Sequence, residues 1–69
     1  MKKYRELVEL KGILREKKIS YEILAKHLEM SISALCNKIN GKSLFDILEV
    51  SKIVEFVGII RDEIPKYFF

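Results

Sequence analysis

Side chains with reactive chemistry are few in this chain of 69 residues. The chain has one histidine, His27, and one cysteine, Cys36. No serine, cysteine or acid pair accompanies His27 at a spacing that catalysis could use, and zinc sites need about four nitrogen, sulfur or carboxylate ligands. The sequence therefore predicts neither an enzyme nor a metal site nor any other cofactor. We expect His27 to be a surface residue and Cys36 to be a small inert packing residue, rather than a redox sensor.

Short, uncharged polar side chains recur between residues 31 and 43. Serine and asparagine both donate and accept hydrogen bonds, which suits the reading of base edges in the major groove of DNA. On a helix, the side opposite Leu35 and Ile39 would carry a mostly polar set, whereas an ordinary exposed face would carry more Glu and Lys. Lys42 and Ser43 follow this helix, and we expect them to meet phosphates. The residues of the polar face are Ile32, Ser33, Cys36, Asn37 and Asn40.

The charge of the chain is uneven along its length, with a net value of +3. Residues 1–43 hold ten Lys and Arg against five Glu, and residues 44–69 hold three basic residues against five acidic ones. A basic first part suits a surface that binds a polyanion. The alternative is ordinary solubility, because many small domains carry a net charge of this size.

The spacing of apolar residues is helical almost throughout, and no stretch alternates as a half-buried strand would. Ser20 and Ser31 are expected N-caps, Gly41 and Gly58 are expected left-handed helix ends, and Ser43 with Asp46 resembles a capping box. The fold class is therefore all-α, a compact bundle of four to five short helices in one domain over residues 1–69. The predicted helices span residues 4–18, 21–28, 32–40 and 44–57, followed by a short helical turn over 60–64 and an apolar tail over 65–69.

Membrane and secreted classes are disfavoured by the sequence. Charges interrupt every apolar run before it reaches the roughly 18 residues of a membrane span. The first six residues lack the apolar region of a signal peptide, and a single cysteine cannot form a disulfide within the chain. We expect a cytoplasmic protein that does not engage a membrane and has no small-molecule substrate.

Residues 21–40 show the pattern of a helix-turn-helix, in which two helices are joined by three or four residues and the second enters the major groove. Ala25 is the small residue at the crossing of the two helices. The apolar residues between them are Leu24, Leu28, Met30 and Leu35.

The sequence resembles the DNA-binding domain of phage repressors and Cro proteins, over about residues 4–64. The resemblance lies in Ile19-Ser20-Tyr21, Leu24-Ala25, Leu28, the run from Met30 to Leu35, and Asn40-Gly41-Lys42, and the short ending is similar to small phage-encoded regulators of Gram-positive bacteria. It implies the lambda-repressor-like fold and a helix-turn-helix that binds double-stranded DNA.

The resemblance also implies roles for particular positions. Tyr21 stands where the family usually has a glutamine that contacts the DNA backbone. Ile32 and Ser33 match the principal base-reading positions, Asn37 matches a further base or phosphate contact, and Asn40 matches a phosphate contact. The sequence departs from the family at Tyr21, at Ile32, which can make only apolar contacts, and at Glu29. Glu29 replaces the glycine of the turn, where a left-handed backbone would cost about 1 kcal/mol.

The C-terminal part carries more apolar residues than one small core needs. Nine of the fourteen residues from 44 to 57 are apolar, and the tail adds more. We therefore predict a protein–protein surface and a homodimer, or a heterodimer with a repressor. The alternative is a tail that packs on its own core. The predicted interface residues are Phe56, Ile60, Tyr67, Phe68 and Phe69.

Two functions are compatible with these patterns. The first is a sequence-specific transcriptional regulator of the Cro or repressor kind that occupies operator DNA as a dimer. The alternative is a protein–protein modulator, an anti-repressor or co-repressor, that binds a phage repressor through the same fold. Such a modulator would keep the fold and relax the DNA-facing positions, which the residues at Tyr21, Glu29 and Ile32 would reflect. An antitoxin is a third, weaker possibility.

Overall fold

The computed structural model describes residues 4–68, which form five α-helices and one 3-10 turn. No strand occurs within this range, so the predicted all-α bundle is confirmed. The helices pack as α1 on α3 and α5, and α2 on α3 and α4. Their bounds are α1 Val8–Glu16, α2 Tyr21–Leu28, α3 Ile32–Ile39, α4 Ile47–Val57 and α5 Ile64–Phe68, with the 3-10 turn at Arg61–Glu63.

One apolar core joins the helices. Burial of each large aliphatic side chain contributes roughly 1.5 to 3 kcal/mol, so a few such residues from each helix are enough to hold short helices together. The fully buried side chains are Leu10, Leu14, Leu24, Leu35, Ile39 and Ile53.

The starts of α2 and α3 follow the prediction. The Ser20 hydroxyl accepts a hydrogen bond from the Ile23 amide at 3.2 Å, and the Ser31 hydroxyl accepts one from the Ala34 amide at 3.1 Å. Both N-caps are confirmed, and both satisfy an amide that a helix start leaves without an intrahelical partner.

The start of α4 differs from the prediction, because Asp46 is itself the N-cap. Its carboxylate accepts from the Glu49 amide at 2.7 Å, and the Glu49 carboxylate accepts from the Asp46 amide at 3.0 Å. The capping box is thus Asp46 with Glu49, not Ser43 with Asp46, and the helix begins at Ile47 rather than at residue 44. A charged carboxylate is a stronger hydrogen-bond acceptor than a hydroxyl, which favours Asp46 over Ser43.

The first four helices all end in the same backbone motif. One or two residues beyond each helix end, the backbone adopts a left-handed conformation, at Lys18, Glu29, Gly41 and Gly58, with φ values of 59°, 58°, 87° and 86°. The next amide then donates to a carbonyl five residues earlier, as in a Schellman motif. These bonds are Ile19 to Leu14 at 2.8 Å, Met30 to Ala25 at 3.0 Å, Lys42 to Asn37 at 2.8 Å and Ile59 to Val54 at 3.0 Å. The left-handed glycines are as predicted, and Glu29 adopts the left-handed backbone whose cost the sequence analysis had noted.

The first helix begins four residues later than predicted, because residues 4–7 run beside the end of α3. The Tyr4 amide donates to the Gly41 carbonyl at 2.8 Å, and the Leu7 amide donates to the Ile39 carbonyl at 2.9 Å. Gly41 fits here for two reasons: its φ is positive, and a Cβ atom would collide with the Tyr4 carbonyl. These tertiary hydrogen bonds replace the helical turn that local spacing had predicted.

Residues 64–68 form the helix α5, where the sequence had predicted a helical turn over 60–64 followed by an apolar tail. Pro65 lies in the first turn of α5, a position that tolerates proline because its missing amide is not needed there. Tyr67 and Phe68 are only 8% and 9% exposed and belong to the core. The Phe68 ring meets the Phe45 ring edge to face, with centroids 5.9 Å apart.

Candidate nucleic-acid interface

Helices α2 and α3 pack against each other across a connection of three residues, 29–31. Leu35 and Ile39, four residues apart on α3, are completely buried. Because side chains at this spacing share one helix face, their burial fixes the rotation of α3 about its axis. The opposite face of α3 is therefore directed outwards.

The outward face carries the polar set that the sequence had singled out. Ser33 and Asn37 are exposed, four residues apart, and Ile32 beside them is 47% exposed. Cys36 and Asn40 are half-buried at the edge of the same face. The structure thus brings together short hydrogen-bonding groups and one aliphatic side chain, with no charged residue among them.

Lys38, the basic residue on α3, is engaged inside the molecule. Its ammonium group lies 2.6 Å and 2.7 Å from the two carboxylate oxygens of Glu49 on α4. It also lies over the Phe45 ring, 5.8 Å from the centroid. Because both side chains of the ion pair are largely buried, Lys38 is held in the contact between α3 and α4 and is not directed towards the outward face.

Two exposed basic residues lie in the segments that flank the end of α3. Lys42, directly after Gly41, is exposed. Arg5 is exposed too, and its backbone passes beside Gly41. Ser43 is half-buried and lines a groove together with Arg5. Sequence reasoning missed Arg5, because residues 4–7 were assigned to a helix; the signal was Gly41, whose lack of a side chain admits the N-terminal segment.

Tyr21 opens α2, as predicted, but its side chain is half-buried and packs against the core. Tyr21 therefore helps to anchor the start of α2 on the core, and the rest of its side chain is accessible to solvent. His27 is exposed, as expected, and stacks on Phe56 with ring centroids 4.3 Å apart and an interplanar angle of 21°.

The predicted partner interface is not a single surface. Phe56 and Ile60 are exposed, although His27 covers part of the Phe56 ring. Tyr67 and Phe68 were wrongly assigned to this surface, because α5 packs on α1 and buries both rings in the core of the same chain. Phe69 lies outside the described residues.

Other kinds of site find no support in residues 4–68. No group of three or more His, Cys, Asp or Glu side chains in this range could hold a metal ion. No helix in the same range is long and apolar enough to cross a membrane. Comparison of the chain with protein-family models, curated proteins and solved structures gives no match.

Proposed function

We propose that this protein is a sequence-specific DNA-binding transcriptional regulator that occupies operator DNA as a dimer. One observation supports the proposal most: α3, the second of two closely packed helices, presents an exposed and uncharged hydrogen-bonding face. In this proposal α2 and α3 act as a helix-turn-helix, and α3 lies in the major groove.

The outward residues of α3 then have separate roles. Ser33 and Asn37 hydrogen-bond to base edges, and Ile32 contacts a thymine methyl group. Lys42 neutralises phosphates on the flanking backbone and so holds the helix in register without reading sequence. Asn40 and Ser43, both half-buried, add hydrogen bonds to the same stretch of backbone.

Binding to DNA that flanks the protein's own gene tests this function. We expect wild-type binding to weaken steeply between two salt concentrations. Ser33→Ala or Asn37→Ala should cost about 1 to 3 kcal/mol on the preferred site and little on random DNA. Lys42→Ala should weaken binding to all sequences alike and reduce the salt slope by about 1.

Matched controls are available on α4. Ser51 and Lys52 are exposed there, on a helix that has no place in the proposed interface, so Ser51→Ala and Lys52→Ala should leave DNA binding unchanged. If wild-type protein shows no preference for its flanking DNA at low salt, the regulator proposal fails.

A second candidate is a modulator that binds a phage repressor. It is favoured by Ile32, an exposed aliphatic side chain at the start of the polar face, and by Glu29, an exposed acid in the turn before α3. An acidic group near phosphates opposes DNA binding but is harmless against a protein. Under this alternative, Ile32→Ala should weaken binding to the repressor, and flanking DNA should not compete.

A further inference from the structure

A groove runs beside the start of α4, where the N-terminal segment, the connection before α4 and α5 meet. It has a volume of about 310 Å³ and is walled mainly by apolar side chains. We refer to it as the α4 groove; its apolar wall is formed by Tyr4, Leu7, Leu44, Phe45, Val50 and Phe68. Its volume is at the low end for pockets that enclose a ligand, and it is suited to a few aliphatic side chains.

An apolar projection stands next to this groove. Leu44, Ile47 and Leu48 are 61%, 85% and 72% exposed. Leu44 belongs to both features, and Ile47 lies one turn of α4 before Val50 of the groove wall. Three large aliphatic side chains left in water within five residues are unusual for a surface that stays uncovered.

We propose that a second copy of this chain docks here about a twofold axis, so that Ile47 and Leu48 of each copy enter the α4 groove of the other. A twofold contact requires a surface that complements itself. If a residue of the first copy contacts a given position of the second, then the same residue of the second copy contacts that position of the first. A projection adjacent to a groove on one chain meets this requirement.

The charges around the groove also favour a second copy. Arg5 lines one side of it, and Asp46 immediately follows Phe45 of its wall; both are exposed. In a twofold pair, Arg5 of each copy can approach Asp46 of the other. An acidic partner would face Asp46 unfavourably and a basic partner would face Arg5 unfavourably, whereas this chain supplies both signs.

This inference rests on the proposed function, because the dimer would serve DNA binding. A dimer through this surface would place Lys42 and Ser43 of both copies next to the twofold axis. Two α3 helices would then be held by one rigid contact, as the reading of two half-sites requires. The association itself is measured without DNA, so its failure and the failure of DNA binding are separate results.

Sedimentation equilibrium over a wide range of protein concentrations gives the test, on wild type and on the double variant Ile47→Glu/Leu48→Glu. We expect wild type to form dimers, and each glutamate to reduce the association constant by at least about tenfold, since an unpaired charge would have to enter an apolar groove. Both positions lie in the first turn of α4, where an acid interacts favourably with the helix dipole, so the fold should persist. Circular dichroism and thermal unfolding confirm that point.

Ile60→Glu is the matched control, because Ile60 is an exposed aliphatic side chain that does not line the groove. It should associate as wild type does. Arg5→Glu should weaken association by about tenfold at low salt and by less at high salt.

A second measurement locates the contact directly. Dilution of an isotope-labelled sample should shift the NMR resonances of Leu44, Ile47, Leu48 and Val50 and leave those of Ile60 unchanged. A wild-type protein that stays monomeric at every accessible concentration overturns the proposal. A dimer that the double variant still forms overturns it equally, because association would then use another surface.

Discussion

At the scale of single residues, the four left-handed helix ends have the same hydrogen-bond pattern but different backbone energies. Gly41 and Gly58 adopt positive φ without a steric penalty, whereas Lys18 and Glu29 adopt it with a Cβ atom close to the carbonyl oxygen. Two of the four turns therefore hold strain that a glycine would remove. Glu29 is of particular interest because its turn sets the angle between α2 and α3.

We expect Glu29→Gly to stabilise the protein by about 1 kcal/mol, because the strain removed is larger than the entropy that glycine adds to the unfolded chain. Urea denaturation followed by circular dichroism measures the change. Lys18→Gly should act in the same direction, since φ at Lys18 is nearly the same.

Gly58→Ala provides the opposite control: it introduces a Cβ atom at positive φ where no neighbouring atom lies within 4 Å. It should destabilise the protein by about 1 kcal/mol through backbone strain alone. A Glu29→Gly variant no more stable than wild type would show that Glu29 makes compensating interactions in its turn.

At the scale of elements, Glu49 connects the start of α4 to α3. Its carboxylate accepts the Asp46 amide in the capping box and also receives the Lys38 ammonium group. Both side chains of the ion pair are about four-fifths buried, with 20% and 18% exposure. The two charges of a largely desolvated ion pair with two short contacts attract each other more strongly than those of a pair on the surface, because water screens them less.

A double-mutant cycle on Lys38 and Glu49 should give a coupling energy of about 1 kcal/mol. Glu49→Gln removes the charge while glutamine can still serve in the capping box, and Lys38→Met removes the ammonium group while keeping a chain over Phe45. Chemical denaturation of the two single variants and the double variant gives the coupling.

Lys66 and Glu63 provide the comparison, because they form a wider contact of 3.9 Å with both side chains about half exposed. The same cycle with Lys66→Met and Glu63→Gln should give a coupling close to zero. Equal coupling in the two cycles would mean that burial adds nothing to the Lys38–Glu49 pair.

Local signals in the sequence were sufficient to locate α2 and α3 almost to the residue. Serine N-caps, apolar spacing and Gly41 are short-range features, and they predicted these helices with an error of one residue at the end of α3. The start of α4 was misplaced by a local choice between two N-caps, Ser43 and Asp46, whereas the start of the first helix was misplaced where distant segments meet. The amides of Tyr4 and Leu7 bond to carbonyls at the end of α3, which no local pattern predicts, and the first helix was therefore placed too early.

The outward face of α3 could be predicted for the same reason, because burial of Leu35 and Ile39 follows from their spacing. Arg5 and the role of Lys38 could not. Arg5 approaches the end of α3 only through tertiary packing, and Lys38 turns to Glu49, a residue of another helix. Spacing along one helix does not reveal the charges that a neighbouring helix supplies.

At the scale of the whole molecule, α5 closes the core. The apolar surplus of the C-terminal part was expected to form a partner surface, but it divides in two. Tyr67 and Phe68 fold back onto the chain, while Leu44, Ile47 and Leu48 remain in water. Counting apolar residues correctly predicted that some large apolar side chains would remain exposed. It could not tell which ones, because the direction of α5 depends on its packing against α1.

Phe68→Ala should destabilise the protein by about 3 kcal/mol, since it leaves a cavity beside Phe45 and removes an edge-to-face contact. The unfolding free energy should be measured in the Ile47→Glu/Leu48→Glu variant, because dimer formation should not add to the stability of that variant. Urea midpoints at two protein concentrations should then agree.

Ile60→Ala in the same background is the control, and it should change stability by no more than about 0.5 kcal/mol because the side chain is exposed. Phe68→Leu should fall between the two. If Phe68→Ala were as mild as Ile60→Ala, the tail would not be part of the core.

The backbone motif that ends the first four helices has a consequence for the rate at which their amides exchange with solvent. The amides of Ile19, Met30, Lys42 and Ile59 lie beyond the helices, yet each is hydrogen-bonded to the last turn of the helix before it. Exchange with solvent deuterium requires that turn to unravel first. In a hydrogen–deuterium exchange series followed by NMR, these connecting residues should therefore keep their protons about as long as the ends of the helices do. Exchange as fast as in an unstructured peptide would show that the four turns open independently of their helices.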